Sequence, residues 1–336
     1  MRHLRYGISM VSLGREKIFA IGDIHGCADE LQLLLERLPL TANSQVIFLG
    51  DYIDRGINAR GVVDIILNFK NYYKITAILG NHEAMFLDFL KDSTSADAGA
   101  FIYNGGGATL FSYANRQGKY FIPDDHLEFF NSLPLFTQTN DTFFVHAGVP
   151  DVPLDRIVPV LHRQILLWIR DEFFKSKFQW SKLIVHGHTP VDKVEILPQR
   201  INVDTGCVYE KSLSAVELPG RIVHAVKKLK KTEHRFLQDD DSRRIAVRFE
   251  GRVPVDLRVQ GNVWPMETIN YSEFGMLLKT LVGGNSPALK EGDKVTGEVK
   301  ILSDEPLSFE GSIVRIFKKE GVTQYAVQLT RAIRAR

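Results

Sequence analysis

Cysteine is nearly absent: Cys27 and Cys207 are the only two in 336 residues. That excludes a disulfide framework and fits a reducing compartment, where both read as small buried thiols. Long apolar runs are missing as well. No segment reaches the about 18 consecutive apolar residues of a membrane span, and the basic residues 1–12 lack an apolar core of signal-peptide length, so no transmembrane segment is expected and the expected location is cytoplasmic. Nor is there strong charge of one sign. A formal net charge of +2 is too small to mark a binder of nucleic-acid polymers, even though Lys227, Lys228, Lys230 and Lys231 cluster late in the chain. No internal repeat is visible.

What is present is enough chain for two domains. Residues 17–69 alternate strand and helix patterns: the apolar run 17–21 ends at Gly22, Leu31, Leu34, Leu35 and Leu38 recur at helical spacing, and 45–49 is a second apolar run. A third strand over 74–79 leads into a helix over 83–91, and this alternation indicates an α/β sheet with crossover helices. Residues 93–120, with Gly105, Gly106 and Gly107, read as an inserted glycine-rich loop region beside the site. Beyond it, 136–146 reads as a hairpin, 161–169 as a helix, 183–185 as a buried strand and 194–203 as another hairpin. Character changes near Pro219. The expected division is a first domain over 1–220, a partly helical linker over 221–241 and a small all-β domain over 242–336, built from the short runs 253–259, 275–279, 294–301, 311–318 and 323–329.

Asp and His stand at the ends of the apolar runs. Gly22-Asp23-Ile24-His25-Gly26 follows the first, Gly50-Asp51-Tyr52-Ile53-Asp54-Arg55-Gly56 the second and Gly80-Asn81-His82-Glu83 the third. Two later strands end in Val145-His146-Ala147-Gly148 and Val185-His186-Gly187-His188-Thr189. In an open α/β sheet the carboxyl ends of the strands converge on the ligand crevice, so these segments deliver oxygen and imidazole donors to one place. One Asp at a strand end is ordinarily a solvated residue; five converging segments are not. Glycines bracket them because a sharp turn that points a ligand inward needs positive φ or close backbone approach. Carboxylate, amide and imidazole without thiolate suit manganese foremost, with iron or zinc also accommodated. A carboxylate shared between two cations sets them about 3.5–4 Å apart, the spacing that clamps both attacking and leaving oxygens of an in-line displacement.

This motif set resembles the phosphoprotein phosphatase branch of the calcineurin-like metallophosphoesterases, closest to bacterial and phage serine/threonine phosphatases and symmetrical diadenosine tetraphosphatases. The resemblance implies an α/β fold, a β-sandwich with flanking helices. It also implies that Asp23, His25 and Asp51 bind one metal and that Asp51, Asn81, His146 and His188 bind the second. His186 competes with His188; the family motif puts the ligand between glycine and threonine, which selects His188. By the same resemblance Arg55 and Arg170 grip the phosphoryl group, and His82, oriented by Asp54, protonates the leaving oxygen.

Arg243-Arg244-Ile245-Ala246-Val247-Arg248 and Asn270-Tyr271-Ser272-Glu273-Phe274-Gly275 stand in the β-rich tail. Together they resemble a PilZ barrel, whose ligand is cyclic di-GMP. The resemblance implies that Arg243, Arg244, Arg248, Asn270, Ser272 and Gly275 bind that ligand, since guanidinium planes stack on guanine and grip phosphate. The expected function is therefore a dinuclear-metal phosphatase acting on phosphoserine, phosphothreonine or phosphotyrosine in a phosphoprotein partner and regulated by cyclic di-GMP. A diadenosine tetraphosphatase-like hydrolase and a non-catalytic cyclic di-GMP effector are the alternatives.

Overall fold

Strand and crossover helix alternate at the start of the described chain: β1 (Ile18–Ile21), α1 (Ala28–Arg37), β2 (Gln45–Phe48), α2 (Ala59–Phe69), β3 (Lys74–Ala77) and α3 (Asn81–Lys91). The computed structural model describes residues 17–115, 119–229, 249–250, 254–259, 261–272, 275–281, 287–299, 307–319 and 322–330. After α3 come α4 (Ala96–Phe101), a π-helical turn (Ile102–Gly106), α5 (Gly107–Ser112), α6 (Asp124–Ser132), β4 (Phe136–Gln138) and β5 (Thr142–Val145). Then follow α7 (Pro159–Trp168), α8 (Asp171–Lys175), β6 (Leu183–His186), β7 (Glu195–Ile196), β8 (Arg200–Asn202), the 3-10 turn Cys207–Tyr209, β9 (Ser212–Leu218) and β10 (Ile222–Lys227).

These strands form two five-stranded sheets, ordered β10-β9-β1-β2-β3 and β4-β5-β6-β8-β7. Strands β1, β2 and β3 run parallel, as do β5, β6 and β8; antiparallel strands close both edges of the second sheet and one edge of the first, whose other edge is the parallel strand β3. Strand alternation explains the layering. Ala20, Ile47, Phe144, Val185 and Ile201 face inward and join the sheets, whereas Phe19, Ile21, Val46 and Phe48 face outward to Leu31, Leu34, Val62 and Ile66 of α1 and α2. On the other outer face Phe143, Val145 and Ile184 receive Leu166, Phe173 and Trp180. The result is the expected α/β sandwich with flanking helices.

Two expectations change. Residues 93–120 are largely helical rather than a loop: Ser95 caps α4 by accepting from Ala98 N at 3.1 Å, and Gly105, at φ 102°, absorbs the kink between two helical stretches. Consecutive glycines look like a loop in sequence, yet Gly106 is required by packing, since a Cβ there would lie 2.6 Å from the Phe101 ring. The linker does not begin at 221 either. Ile222–Lys227 is an edge strand paired antiparallel with β9, with Val226 turned into the core opposite Leu213. Lys227 ends the strand on its solvent side, while Lys228 just past it turns inward to Glu30. Residues 230–241 lie outside the described residues.

The second unit contains β11 (Phe249–Glu250), β12 (Pro254–Val259), β13 (Asn262–Ser272), β14 (Gly275–Thr280), β15 (Lys294–Val299), β16 (Leu307–Lys319) and β17 (Val322–Leu329). Every pairing is antiparallel, and the ladder β13-β12-β15-β16-β17-β14 closes on itself through β13 and β14. Val255, Leu257, Met266, Leu278, Val299, Phe309 and Tyr325 fill this all-β barrel. Bulges at Thr268/Asn270 and Ile313/Arg315 turn its longest strands, as closure requires. The sequence reading passed over β13, which carries Pro265. That proline pairs with Asp256 of β12 before β14 joins at Met266, so its missing amide falls where β13 has one neighbour only.

Candidate metal centre

The carboxyl ends of β1, β2, β3, β5, β6 and β8 open on one edge of the sandwich, and the residues just past them are buried together. Asp23, His25, Asp51, Asp54, Asn81, His82, His146 and His188 are each at most 5 % exposed. The turns that aim them are strained: His25, Asp51, Asp54, Arg55 and His188 adopt left-handed φ values from 45° to 71°. For residues other than glycine such values cost free energy and persist where the surroundings over-determine them. The motif glycines have a second duty beyond flexibility. A Cβ on Gly80 would lie 2.2 Å from Asp51 Oδ1, and one on Gly187 would lie 2.2 Å from Asp23 Oδ1, so both positions leave room for a carboxylate.

The donor atoms form two groups that share Asp51. Its Oδ1 lies 3.3 Å from His146 Nε2, while Asn81 Oδ1 is 2.8 Å from His146 Nε2 and 3.0 Å from His188 Nδ1. Its Oδ2 lies 3.4 Å from His25 Nε2 on the other side. Donors about 2.0–2.2 Å from a common cation stand about 2.8–3.6 Å from one another in tetrahedral or octahedral geometry, so these separations fit a metal in each group. Asp23 lies beside Asp51, with which it shares a side-chain hydrogen bond, and both its oxygens accept from His188 N, at 3.0 and 3.2 Å.

Electrostatics agree with that reading. Burial lowers the imidazoles, His146 to about 4 and His25, His82 and His188 well below their ordinary value, which leaves them neutral and able to ligate. Burial raises the acids: Asp51 is pushed up to about 7, and Asp23 is raised further by the charges of Asp204 and Asp51. Buried carboxylates facing neutral imidazoles are a site whose ionised form calls for cations.

Supporting hydrogen bonds fix the ligands. His25 Nδ1 donates to Ile53 O and His146 Nδ1 to Leu49 O, each at 2.8 Å, which aims Nε2 into the centre. Glu83, with no role assigned from sequence, accepts from the amides of Tyr52 (2.8 Å), Asp51 (2.9 Å), Gly80 (3.1 Å) and Ile53 (3.3 Å) and so holds the Asp51 turn against the start of α3. His82 Nδ1 donates to Asp54 Oδ2 at 2.5 Å, and Thr109 Oγ1 donates to Asp54 Oδ1 at 2.6 Å. The opposite nitrogen, His82 Nε2, is buried without a hydrogen-bond partner and lies 3.9 Å from Asp51 Oδ2.

The remaining predicted residues divide. Arg55 Nη1 donates to His25 Nε2 at 2.7 Å, and Arg170 Nε donates to His188 Nε2 at 3.2 Å, so both guanidiniums meet the centre. Arg170 precedes α8 rather than ending α7, and the dipole of a helix C-terminus does not explain it. His186 points away, packed against Phe173 at 5.0 Å between ring centroids. Asp204, buried past β8 and pushed up to about 7 by burial, joins the carboxylates without having been singled out. Its signal was legible: Val203-Asp204-Thr205-Gly206 ends an apolar run as the other motifs do. In the barrel, Asn270 and Ser272 lie on β13, and Ser272 pairs with Gly275 at the start of β14. Arg243, Arg244 and Arg248 lie outside the described residues.

Residues 16–222 match the model of the calcineurin-like phosphoesterase family. The chain belongs to this family. Residues 242–335 match the model of the PilZ domain, so the phosphoesterase carries a C-terminal PilZ domain. Among curated proteins it is 27 % identical over 225 residues to the asymmetrical bis(5'-nucleosyl)-tetraphosphatase PrpE of Anoxybacillus flavithermus, spanning 59 % of this chain and 89 % of that protein. It is 27 % identical over 227 residues to the protein of the same name from Oceanobacillus iheyensis, spanning 60 % and 89 %. A solved protein serine/threonine phosphatase from Saccharomyces cerevisiae superimposes with a TM-score of 0.46 and 18 % identity, over 66 % of this chain and 82 % of that one. Membership of the calcineurin-like phosphoesterases makes the chain a metal-dependent hydrolase, and among its described residues no helix is long and apolar enough to cross a membrane.

Proposed function

We propose that this phosphoesterase removes phosphate from phosphoserine and phosphothreonine in proteins, with phosphotyrosine as a further substrate, and that cyclic di-GMP bound by the PilZ domain sets its rate. The supporting observation for two-metal chemistry is Asp51, whose oxygens face different donor groups at 3.3 and 3.4 Å. Asp23, His25 and Asp51 would hold one cation, and Asp51, Asn81, His146 and His188 the other. Manganese heads the candidates, with iron or zinc next. Two such cations supply Lewis-acid stabilisation of the phosphoryl oxygens and lower the pKa of an attacking water.

The chain's own groups do the rest. Arg55 and Arg170, drawn to the centre at His25 and His188, offer planar bidentate donors to the equatorial phosphoryl oxygens. Asp54 anchors one nitrogen of His82, and once the ring takes up a second proton its Nε2–H is the group that would protonate the departing oxygen. This pair favours an ester substrate. A serine or threonine alkoxide leaves poorly without a proton, whereas a phosphate released from an anhydride hardly needs one. On the PilZ side, β11 follows Arg248 directly and pairs with Asn270 and Tyr271, so chain order and register support a common site for Arg248, Asn270 and Ser272.

A second reading is hydrolysis of a dinucleoside polyphosphate, favoured by the tetraphosphatase activity for which the two relatives are named and by Tyr209. Its ring, 42 % exposed and 5.7 Å from the Arg55 guanidinium carbon, offers a face on which a base can stack. The deciding experiment is turnover of a phosphoserine peptide and of diadenosine tetraphosphate by the manganese-loaded full chain, with and without cyclic di-GMP. Faster peptide turnover that responds to cyclic di-GMP supports the first reading; turnover of the dinucleotide alone overturns it. His82→Ala should cost about 10²–10⁴-fold on the peptide and much less on the anhydride, with both metals retained.

A further inference from the structure

The two cysteines, far apart in sequence, meet in the fold. Cys27 precedes α1, Cys207 opens the turn after β8, and both are at most 2 % exposed. Their sulfurs and a Glu30 carboxylate oxygen lie within 4.8 Å of one another. Such a trio resembles a metal site, but its cation is already a side chain. Lys228 Nζ stands 3.0 Å from Glu30 Oε1 and 3.3 Å from Cys27 Sγ, so a divalent ion would meet an ammonium among its own ligands. Two free thiols in contact have another reaction open to them, oxidation to a disulfide.

The position of the pair gives that reaction a consequence. His25 stands two residues before Cys27, and Tyr209 two residues after Cys207. His25 faces the centre and meets Arg55 at 2.7 Å, and the Tyr209 ring lies against the same guanidinium. Drawing the sulfurs to the about 2.05 Å of a disulfide must move both backbones. There is no slack near Cys27: a Cβ on Gly26 would lie 2.6 Å from Gly56 O, and the Cys27 thiol now donates to His25 O at 3.6 Å.

We infer that Cys27 and Cys207 form a redox-responsive pair, which a peroxide converts to a disulfide that displaces His25 from the centre and the Tyr209 ring from Arg55, and so slows hydrolysis. In the first step one thiol sulfur attacks a peroxide oxygen; the O–O bond breaks, giving a sulfenic acid and water, or an alcohol from an organic peroxide. In the second step the other sulfur attacks the sulfenic sulfur, the S–O bond breaks and water leaves with the remaining thiol proton. Two thiols lose two electrons, and the peroxide takes them up.

The effect on rate rests on the hydrolase reading above; the bond itself does not. The manganese-loaded full chain is treated with hydrogen peroxide, digested without reductant and weighed. A cross-linked peptide pair containing Cys27 and Cys207, lighter than the two free peptides by two hydrogens, is expected, and dithiothreitol should abolish it. Turnover should fall severalfold and recover with dithiothreitol, while Cys207→Ser keeps its turnover under the same peroxide. Thiols that still titrate in the unfolded, peroxide-treated chain would overturn the pair. So would equal inactivation of wild type and Cys207→Ser, which would place the damage at the metals. A sample that forms the cross-link yet hydrolyses nothing before or after would count against the hydrolase reading and leave the dithiol site standing.

Discussion

The metal centre and the PilZ hairpin are built on opposite plans. The centre takes its side chains from the ends of β1, β2, β3, β5, β6 and β8 and buries them among mutual contacts of 2.8 to 3.4 Å. The predicted barrel groups Asn270, Ser272 and Gly275 lie instead on one hairpin, β13 to β14, where neighbouring register suffices to bring them together. A site assembled from six strand ends works only if all of them are held, so it is organised before any ligand arrives and fails as a unit. Groups on one hairpin keep their register when one of them is replaced.

The sharpest way to break this contrast is Asp51→Asn, which removes charge from both donor groups at once. It should lower kcat by about 10³-fold and reduce bound metal, read by steady-state kinetics and elemental analysis. Near-normal turnover would mean that the groups act independently. Next in size is Glu83→Gln, which touches no cation and alters only the support of the Asp51 turn. Metal affinity should weaken about 10–100-fold in a chelator titration.

A pH series sharpens the same point. Asp51, pushed up to about 7, must lose its proton to ligate, whereas His146, lowered to about 4, is already neutral at that pH. At the site of Asn81, His146 and His188, whose one acid is Asp51, apparent manganese affinity should therefore fall about tenfold for each pH unit below 7 and level off above it, as isothermal titration would read. A fall that began only near pH 4 would reverse the assignment. The smallest effect belongs to the hairpin. Asn270→Ala or Ser272→Ala should weaken cyclic di-GMP binding by up to about tenfold in equilibrium dialysis while basal turnover stays the same.

Legibility in the sequence followed the same divide. Apolar runs that end in Gly-Asp or in His were visible because strand, turn and ligand are contiguous in the chain, and those runs place the donors. Glu83 was in view as part of a motif, yet its four backbone partners are set by the fold, and no spacing announces them. Thr109 was hidden inside a stretch that glycine content made look like a loop, although it holds Asp54. Asp204 could have been found from its apolar run, which was cut one residue short. In the barrel, Pro265 masked β13, because a proline is read as a break unless it is known which side of the strand lacks a neighbour.

Closure of the barrel has a consequence for how such a chain can arise. An open sheet presents a row of free amides that recruits other chains, and joining one to an enzyme invites clumping. A ring that satisfies its own ladder carries no such hazard. The PilZ unit can therefore be appended to an unrelated catalyst as a self-contained cassette, and grafting it onto a hydrolase of another family should yield a fusion that stays as dispersed at high concentration as that hydrolase alone.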